Sequence, residues 1–302
     1  MAHKILLLFS GGLDSITAAE ILQRQKAELI GLALASYFFD AHQAKISAQK
    51  IGLKLIERNI AAKHLELVRK PQYGYGKGMN PCLDCHALML KEAWGLRDEL
   101  GFDILATGDV LGQRPFSQKR PSFQAVDKLS GLEGKVLRPL SAKLLPETEF
   151  EKKGLINREL LEDIQGRSRK KQIELLKNIG INDYPSSAGG CCLTEKEFSL
   201  KLEKLLNESK VLTSSDLELI KLGRHFWFDG SHIILGRNKE ENVLIKKNMC
   251  RGDLFIEPRN FKGPVALIRG GNSEFDQKKV ESLIEDFSKK APLKCEYDHY
   301  NL

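Results

Sequence analysis

The chain has 302 residues, 42% of them hydrophobic and 29% charged, with a formal net charge of +7. That length accommodates two domains with an ample core in the first, and the composition is that of an ordinary soluble protein. No stretch approaches the roughly 18 apolar residues of a membrane span, and the N-terminal apolar run is too short for a signal peptide, which predicts a cytoplasmic protein with no membrane partner.

The positive excess permits a polyanionic partner without demonstrating one. Six cysteines in a chain without an export signal point to metal binding or catalysis rather than a disulfide framework.

Lys4 to Phe9 (KILLLF) is a short apolar run that ends at a glycine pair, and it reads as a buried parallel strand. Ser10-Gly11-Gly12-Leu13-Asp14-Ser15 opens directly into a helical pattern, Ile16 to Leu22, with an acidic and hydroxyl-bearing first turn. Adjacent glycines let the backbone come close to a ligand, and successive N–H groups at a helix N-terminus form an anion site. Ser10 and Ser15 add hydroxyls on either side. A Walker phosphate loop is excluded, because no Gly-Lys-Ser/Thr follows at the required spacing.

The next segments alternate. Residues 29–35 read as a strand, 41–53 as a helix, 54–60 as a strand, 83–100 as a helix and 103–109 as a fourth strand, with 135–140 a fifth. Strands alternating with helices predict a parallel sheet covered on both faces. Ligands of such sheets sit beyond the carboxyl ends of the strands. That gathers the Ser10–Ser15 loop, Ser36 after the second strand and Gly108 after the fourth into one expected nucleotide site.

Between the third strand and the following helix lies Gly74 to His86 (GYGKGMNPCLDCH), a glycine-rich loop leading into Cys82 and Cys85. At a helix N-terminus two thiols three residues apart face the same way, with their pKa lowered by the dipole. The pair alone fits a redox couple, half a zinc site, part of an iron–sulfur site or two buried thiols. Gly189-Gly190-Cys191-Cys192 supplies further thiols. Cys82, Cys85 and Cys191 would make three thiolates, leaving one position open, as closed structural zinc sites do not. A 4Fe–4S cluster on three cysteines would expose one iron; zinc completed by His86 or Cys192 is the competing reading.

The loop at Ser10–Ser15 resembles the Ser-Gly-Gly-x-Asp-Ser loop of the PP-loop ATP pyrophosphatases. Together with Asn80-Pro81-Cys82-x-x-Cys85 and the late Gly-Gly-Cys191, the chain over residues 1–206 resembles the tRNA thiouridylases of that superfamily, similar to the tRNA 2-thiouridylase family. The resemblance implies an adenine nucleotide alpha hydrolase-type, Rossmann-like α/β sheet. ATP would be bound by Ser10, Gly11, Gly12, Asp14, Ser15, Ser36 and Gly108, with Mg²⁺. It implies Asp14, Cys85 and Cys191 as catalytic residues, and Cys82, Cys85 and Cys191 as holders of a cluster. Asp14 would take a magnesium or hydrogen-bonding role; a plain helix-start carboxylate is the alternative. The implied chemistry adenylates a uridine carbonyl of tRNA with release of pyrophosphate. Sulfide from a sulfur donor, free or as a persulfide, then displaces AMP. The chain departs from the best-known bacterial members after the fourth strand, with Thr107-Gly108-Asp109 where they have Thr-Gly-His-Tyr.

Further on, Arg167, Arg169, Lys170 and Lys171 put four cations within five residues of an otherwise helical segment. They are candidate tRNA phosphate contacts, or simply a solvated face. A second amphipathic helix spans 195–206 and a short one 214–223. Residues 225–238 read as two strands about an Asp-Gly turn, 242–246, 253–258 and 264–268 as short strands, and 274–289 as a helix. Gly236-Arg237-Asn238-x-x-x-Asn242 resembles the signature of the NFACT RNA-binding domain over about 224–271. Cys250 and Cys295 read as buried single thiols. The expected organisation is an ATP-binding α/β domain (1–145), a helical tRNA-binding and catalytic-cysteine segment (146–213) and a small α+β domain (214–302). Two other functions use the same features: an adenylating ligase or amidase acting on another substrate, and a non-catalytic zinc-stabilised RNA-binding protein.

Overall fold

The computed structural model describes residues 3–185, 191–209, 211–228, 230–270 and 274–301. The chain divides into two compact units, Met1–Glu195 and Lys196–Leu302. Residues 146–195 of the expected middle segment thus belong to the first unit and 196–213 to the second.

The first unit contains β1 (Lys4–Leu8), α1 (Leu13–Gln23), β2 (Glu28–Ala35), α2 (His42–Lys50), β3 (Lys54–Asn59), α3 (Ala61–Arg69), α4 (Cys82–Trp94), α5 (Arg97–Leu100), β4 (Ile104–Thr107), α6 (Arg120–Ser130), α7 (Glu149–Lys152) and α8 (Lys170–Asn178). The sheet runs β3-β2-β1-β4 with every pairing parallel. Alternation along β1 explains its two-sided cover. Ile5 and Leu7 join α1 (Ile16, Ile21) and α8 (Leu176) in one core, while Leu6 packs with α4 (Ala87, Leu90) and α6 (Val126) in the other.

The fifth strand expected at 135–140 is not formed. Only Leu137 pairs with β4, through Thr107 N to Leu137 O and Leu137 N to Leu105 O, both 2.9 Å. Turns take the flanking amides: Lys135 N donates to Leu132 O and Ser141 N to Arg138 O. Pro139 has no N–H to give to a ladder. The helix expected over 83–100 breaks at Gly95 into α4 and α5.

The second unit holds α9 (Lys196–Glu208), α10 (Ser214–Leu219), β5 (Arg224–Phe228), β6 (Ser231–Leu235), α11 (Lys239–Lys247), β7 (Leu254–Pro258), β8 (Ala266–Arg269), α12 (Glu274–Asp286) and β9 (Tyr297–Asn301). Its antiparallel sheet has the order β5-β6-β8-β7-β9. One face packs on Val280 and Ile284 of α12, the other on Ile245 of α11. Residues 242–246 are therefore helical, not a strand. Asn238 accepts from Glu241 N as an N-cap, acidic residues occupy the first turn of α11 and Lys246 and Lys247 its last.

Candidate functional site

Gly11 and Gly12 link β1 to α1, and the local packing gives them different tasks. Gly11 has φ +75°, and a Cβ there would stand 2.4 Å from the Gln43 carbonyl oxygen and 2.7 Å from Ala44 Cα. Only glycine fits so close to α2, and Ser47 Oγ donates to Gly11 O at 2.8 Å. A Cβ on Gly12 would meet nothing nearer than Ser10 Oγ at 3.6 Å, so this side of the loop is open. The first turn of α1 has no side-chain cap on its N–H groups. With the open Gly12, whose N–H donates to Ser10 Oγ at 3.4 Å, and the exposed Ser10, these uncapped amides at the positive end of a helix form a cradle that could hold an anion. Ser15 Oγ lies 3.4 Å from Ser10 Oγ and donates to Gly12 O at 2.9 Å.

Beyond β4, a Cβ on Gly108 would fall 2.9 Å from Ser15 Cα, so the carboxyl end of β4 presses on the first turn of α1. The structure thereby brings Ser10, Gly11, Gly12, Asp14, Ser15 and Gly108 together. Ser36 follows the neighbouring strand β2, where its hydroxyl receives Phe38 N at 3.0 Å and meets His64 Nδ1 at 2.9 Å. Burial of His64 pushes its pKa down to about 4, so that imidazole is neutral at physiological pH.

Asp14 has two partners that sequence reading missed. Gln113 Nε2 donates to its Oδ2 at 2.5 Å, and Gln172 Nε2 donates to its Oδ1 at 3.2 Å and to Gln113 Oε1 at 3.1 Å. Gln113 comes from the loop after β4 and Gln172 from α8. The only prior signal for Gln113 is its place at the carboxyl edge of the sheet; for Gln172 there is none, since the apolar spacing of α8 marks that face as core.

The cysteines stand beside this cradle. Cys82 opens α4, and Cys85 follows one turn later, buried. Asp84 accepts Gln72 N at 2.8 Å and Tyr73 N at 3.0 Å, anchoring the glycine-rich loop, and Met79 N donates to Leu193 O at 3.0 Å, tying that loop to the turn after Cys191. Burial and the neighbouring Cys191 and Cys82 push the Cys85 thiol well above the ordinary range, and burial does the same at Cys191. Burial also opposes ionisation of Cys82, but the hydrogen bond and charge of His86, together with a hydrogen bond from Ser117 and the charge of Arg114, outweigh it and hold this thiol low. Cys192 Sγ lies 3.3 Å from Phe38 O.

His86, despite burial, is held above its ordinary pKa by Cys82 and by Asp109, whose Oδ1 lies 3.9 Å from its Nδ1. Asp109 is in turn fixed by Gln118 Nε2 at 2.9 Å and Thr107 Oγ1 at 2.9 Å, with Arg138 Nε at 4.0 Å. Arg138 is buried between that carboxylate and Asp127 (2.6 Å), with its guanidinium 4.2 Å from the Phe123 ring, and it walls a cavity of about 240 Å³. A continuous path of contacts therefore runs from the cradle to the thiols: Ser15, Gly108, Asp109, His86, Cys82.

Cys82, Cys85 and Cys191 are close enough to influence one another’s ionisation. Among the described residues, however, no set of three or more His, Cys, Asp or Glu side chains is arranged to hold a metal ion. Of the four expected phosphate contacts, Lys171 is engaged by Glu162 at 3.2 Å and by Asp163. Arg167, Arg169 and Lys170 enter no ion pair among the described residues. Cys250 and Cys295 are half-buried rather than buried.

Residues 3–128 match the family model described as the tRNA methyl transferase HUP domain. Residues 223–301 match the model of the NFACT protein RNA binding domain. The chain is similar to a tRNA-specific 2-thiouridylase MnmA of Mannheimia succiniciproducens, 25% identical over an alignment of length 292 that covers 89% of this chain and 70% of that protein. It is also similar to one of Helicobacter hepaticus, 27% identical over an alignment of length 254 that covers 80% of this chain and 70% of that one. A solved 4-thiouridine synthetase–RNA complex with bound ATP superposes with a TM-score of 0.36 at 18% identity, covering 59% of this chain and 52% of that one. The resemblance read from the sequence, a thiouridylase-like PP-loop domain followed by an NFACT-like segment, is borne out by the family and relative matches. No described helix is long and apolar enough to cross a membrane.

Proposed function

We propose that the chain is an ATP-dependent tRNA-thiolating enzyme. The observation that carries this reading is the contact path from the anion cradle to the thiols, through Gly108, Asp109 and His86. It supports reading the cradle as the site for leaving phosphates and the thiols as the site for sulfur, and the similarity to the thiouridylases suggests tRNA as the substrate. ATP lies with its phosphates on the amides of Gly12 and the first turn of α1. The uridine carbonyl oxygen bonds to the α-phosphorus, the bond to the bridging oxygen breaks, and pyrophosphate leaves into the N–H dipoles. A sulfur nucleophile then attacks the activated base carbon, and AMP departs with the former carbonyl oxygen.

Mg²⁺ suits this arrangement. Asp14 sits beside the cradle with two neutral amides as its hydrogen-bond partners among the described residues, so its charge is oriented but not neutralised. A divalent ion there would offset phosphate charge. The iron–sulfur expectation fares differently. Cys82 is hydrogen-bonded to His86, and among the described residues no set of three or more ligating side chains is arranged for a metal ion, so the cluster rests on the resemblance alone.

The adjacency of the three thiols favours a persulfide route. A persulfide donor passes its outer sulfur to one cysteine and leaves as a thiol. That outer sulfur attacks the adenylated base and expels AMP. A neighbouring cysteine then attacks the inner sulfur, forms a protein disulfide and releases the thiolated base, and an external thiol reductant restores both cysteines.

The full chain incubated with ATP, Mg²⁺, bulk tRNA and a persulfide donor is expected to release pyrophosphate and yield thiouridine in the nucleoside digest. Pyrophosphate release without thiolated nucleoside would instead mark an adenylating ligase. Absence of both, with RNA still bound, would leave a non-catalytic RNA-binding protein. Iron, sulfide and zinc analysis of anaerobically purified protein separates the cluster route from the persulfide route.

A further inference from the structure

We propose that Gln172 and Gln113 are positioning residues for Asp14, fixing the carboxylate that faces the ATP phosphates. The inference rests on the ATP reading of the loop and goes beyond it.

Three observations carry it. The first is completeness: each carboxylate oxygen of Asp14 accepts one amide N–H₂, Oδ2 from Gln113 and Oδ1 from Gln172, and Gln172 Nε2 also donates to Gln113 Oε1. The two amides therefore hold each other as well as the acid. One lone pair on each oxygen remains for an ion, a water or a ligand.

The second is charge. A lysine or arginine at either position would also anchor Asp14, but would neutralise it. Amides fix the carboxylate beside the cradle without pairing it with a cation. That combination repels phosphate unless a cation intervenes, so it suits an oriented ligand for a divalent ion better than a structural ion pair.

The third is the cost of burying Gln172. It is wholly buried in a helix whose neighbouring inward positions, Ile173 and Leu176, join an apolar core. Its Oε1 has no hydrogen-bond partner among the described residues. A leucine or methionine would fill that space without an orphaned acceptor. What glutamine adds is its N–H₂ delivered to Asp14, across 158 residues of sequence. The side chain is thus chosen for where it puts a donor, not for packing.

The test uses the full chain and compares wild type with Gln172→Met and Gln113→Met, each a near-isostere without donors. Melting temperature, ATP affinity, and the rate of pyrophosphate release with bulk tRNA are measured across a Mg²⁺ titration. Melting should change little in Gln172→Met, since the orphaned acceptor leaves together with the donors. Pyrophosphate release should fall by about 100-fold, the size expected for a misplaced active-site group. The Mg²⁺ concentration for half-maximal rate should rise, which a merely structural role would not produce. Should Gln172→Met fail to fold, Gln113→Met carries the same expectation from the loop side. Variants that match wild type in rate and in Mg²⁺ dependence would overturn the inference alone. A folded wild-type chain that neither binds ATP nor releases pyrophosphate would overturn the reading of the loop, and this inference with it.

Discussion

At the scale of single residues, Gly11 and Gly12 separate folding from ligand binding. Gly11→Ala forces a Cβ into the backbone of α2 at positive φ, and should destabilise the first unit by more than about 1 kcal/mol in urea unfolding. Gly12→Val meets open space and an extended backbone, so melting should hardly move. Its branches would occupy the cradle, and losing even one charge-assisted N–H contact of about 1.5–3 kcal/mol weakens ATP binding by roughly tenfold or more. A folded Gly12→Val variant with wild-type affinity in calorimetry would remove the loop from the nucleotide site. The cysteines divide in a comparable way. Because the hydrogen bond and charge of His86, together with Ser117 and Arg114, outweigh burial at Cys82, its thiolate persists to lower pH than an ordinary thiol near 8.5. Burial moves Cys85 and Cys191 in the other direction. As pH rises from acid, iodoacetamide should therefore label Cys82 first. His86→Asn removes the proton that holds the thiolate, so labelling of Cys82 at neutral pH should slow, as read by peptide mass spectrometry. Equal labelling profiles for Cys82 and Cys85 would contradict this ordering.

At the scale of elements, Arg269 at the end of β8 shows how the second unit is held. Its guanidinium reaches Asp216 on α10, Ser215 Oγ at 3.0 Å and Asp253 before β7 at 2.6 Å. Asp253 is buried, and Asp216 is held below the ordinary carboxylate range because, against burial, Thr213 and Arg269 hydrogen-bond its charged form. Arg269→Ala strands two carboxylates and should cost about 3–5 kcal/mol in unfolding of this unit. A depressed carboxylate stabilises above its unfolded pKa, near 4, and that contribution is lost as pH falls through the lower folded value. The Asp216 contribution should thus be intact at neutral pH and disappear only in strong acid. None of these partners was legible beforehand, since Arg269 and Asp216 lie 53 residues apart. What the sequence did show was periodic or locally punctuated: β1 to β4, the glycine cradle, and the β5–β6 hairpin. It misled where two signals competed. Asn242 to Lys246 carries a short run of three apolar residues, yet the Asn238 cap and the charges at either end make α11. Lys135 to Leu140 looks like a strand, but Pro139 has no N–H and turns take the amides at either end, leaving Leu137 as the residue paired with β4. Pro121 stands in the first turn of α6, where proline is compatible with a helix. The same limit applies to the site. Ser10 to Ser15 and the cysteine spacings are local patterns, whereas Gln113, Gln172 and the His86–Asp109 pair gain meaning only from the folding of distant segments onto one edge.

At the scale of the molecule, the two units have separate cores, and their tasks should separate too. If the first unit binds ATP and RNA phosphates are met by both, cations on each should contribute to RNA affinity independently of the nucleotide. The run at the start of α8 tests this, because its members differ. Lys171 already serves Glu162 and Asp163, and its pKa is raised chiefly by the Asp163 hydrogen bond; Arg167 and Lys170 are exposed and have no ion pair among the described residues. Phosphate contacts release counterions, and each adds about 0.7–0.9 to the slope of log affinity against log salt. Neutralising Arg167, Arg169 and Lys170 together should flatten that slope for tRNA by about two and weaken binding across all sequences, because such contacts position without specifying. Lys171→Ala should leave the slope where it was and at most loosen a surface pair worth about 0–1 kcal/mol. ATP affinity should be unchanged in both variants, since among the described residues none of these four side chains has an ion pair with a cradle residue and Gln172 is left in place. Filter binding at a series of salt concentrations decides the matter. An unchanged slope in the triple variant would move the RNA contacts of the first unit away from α8.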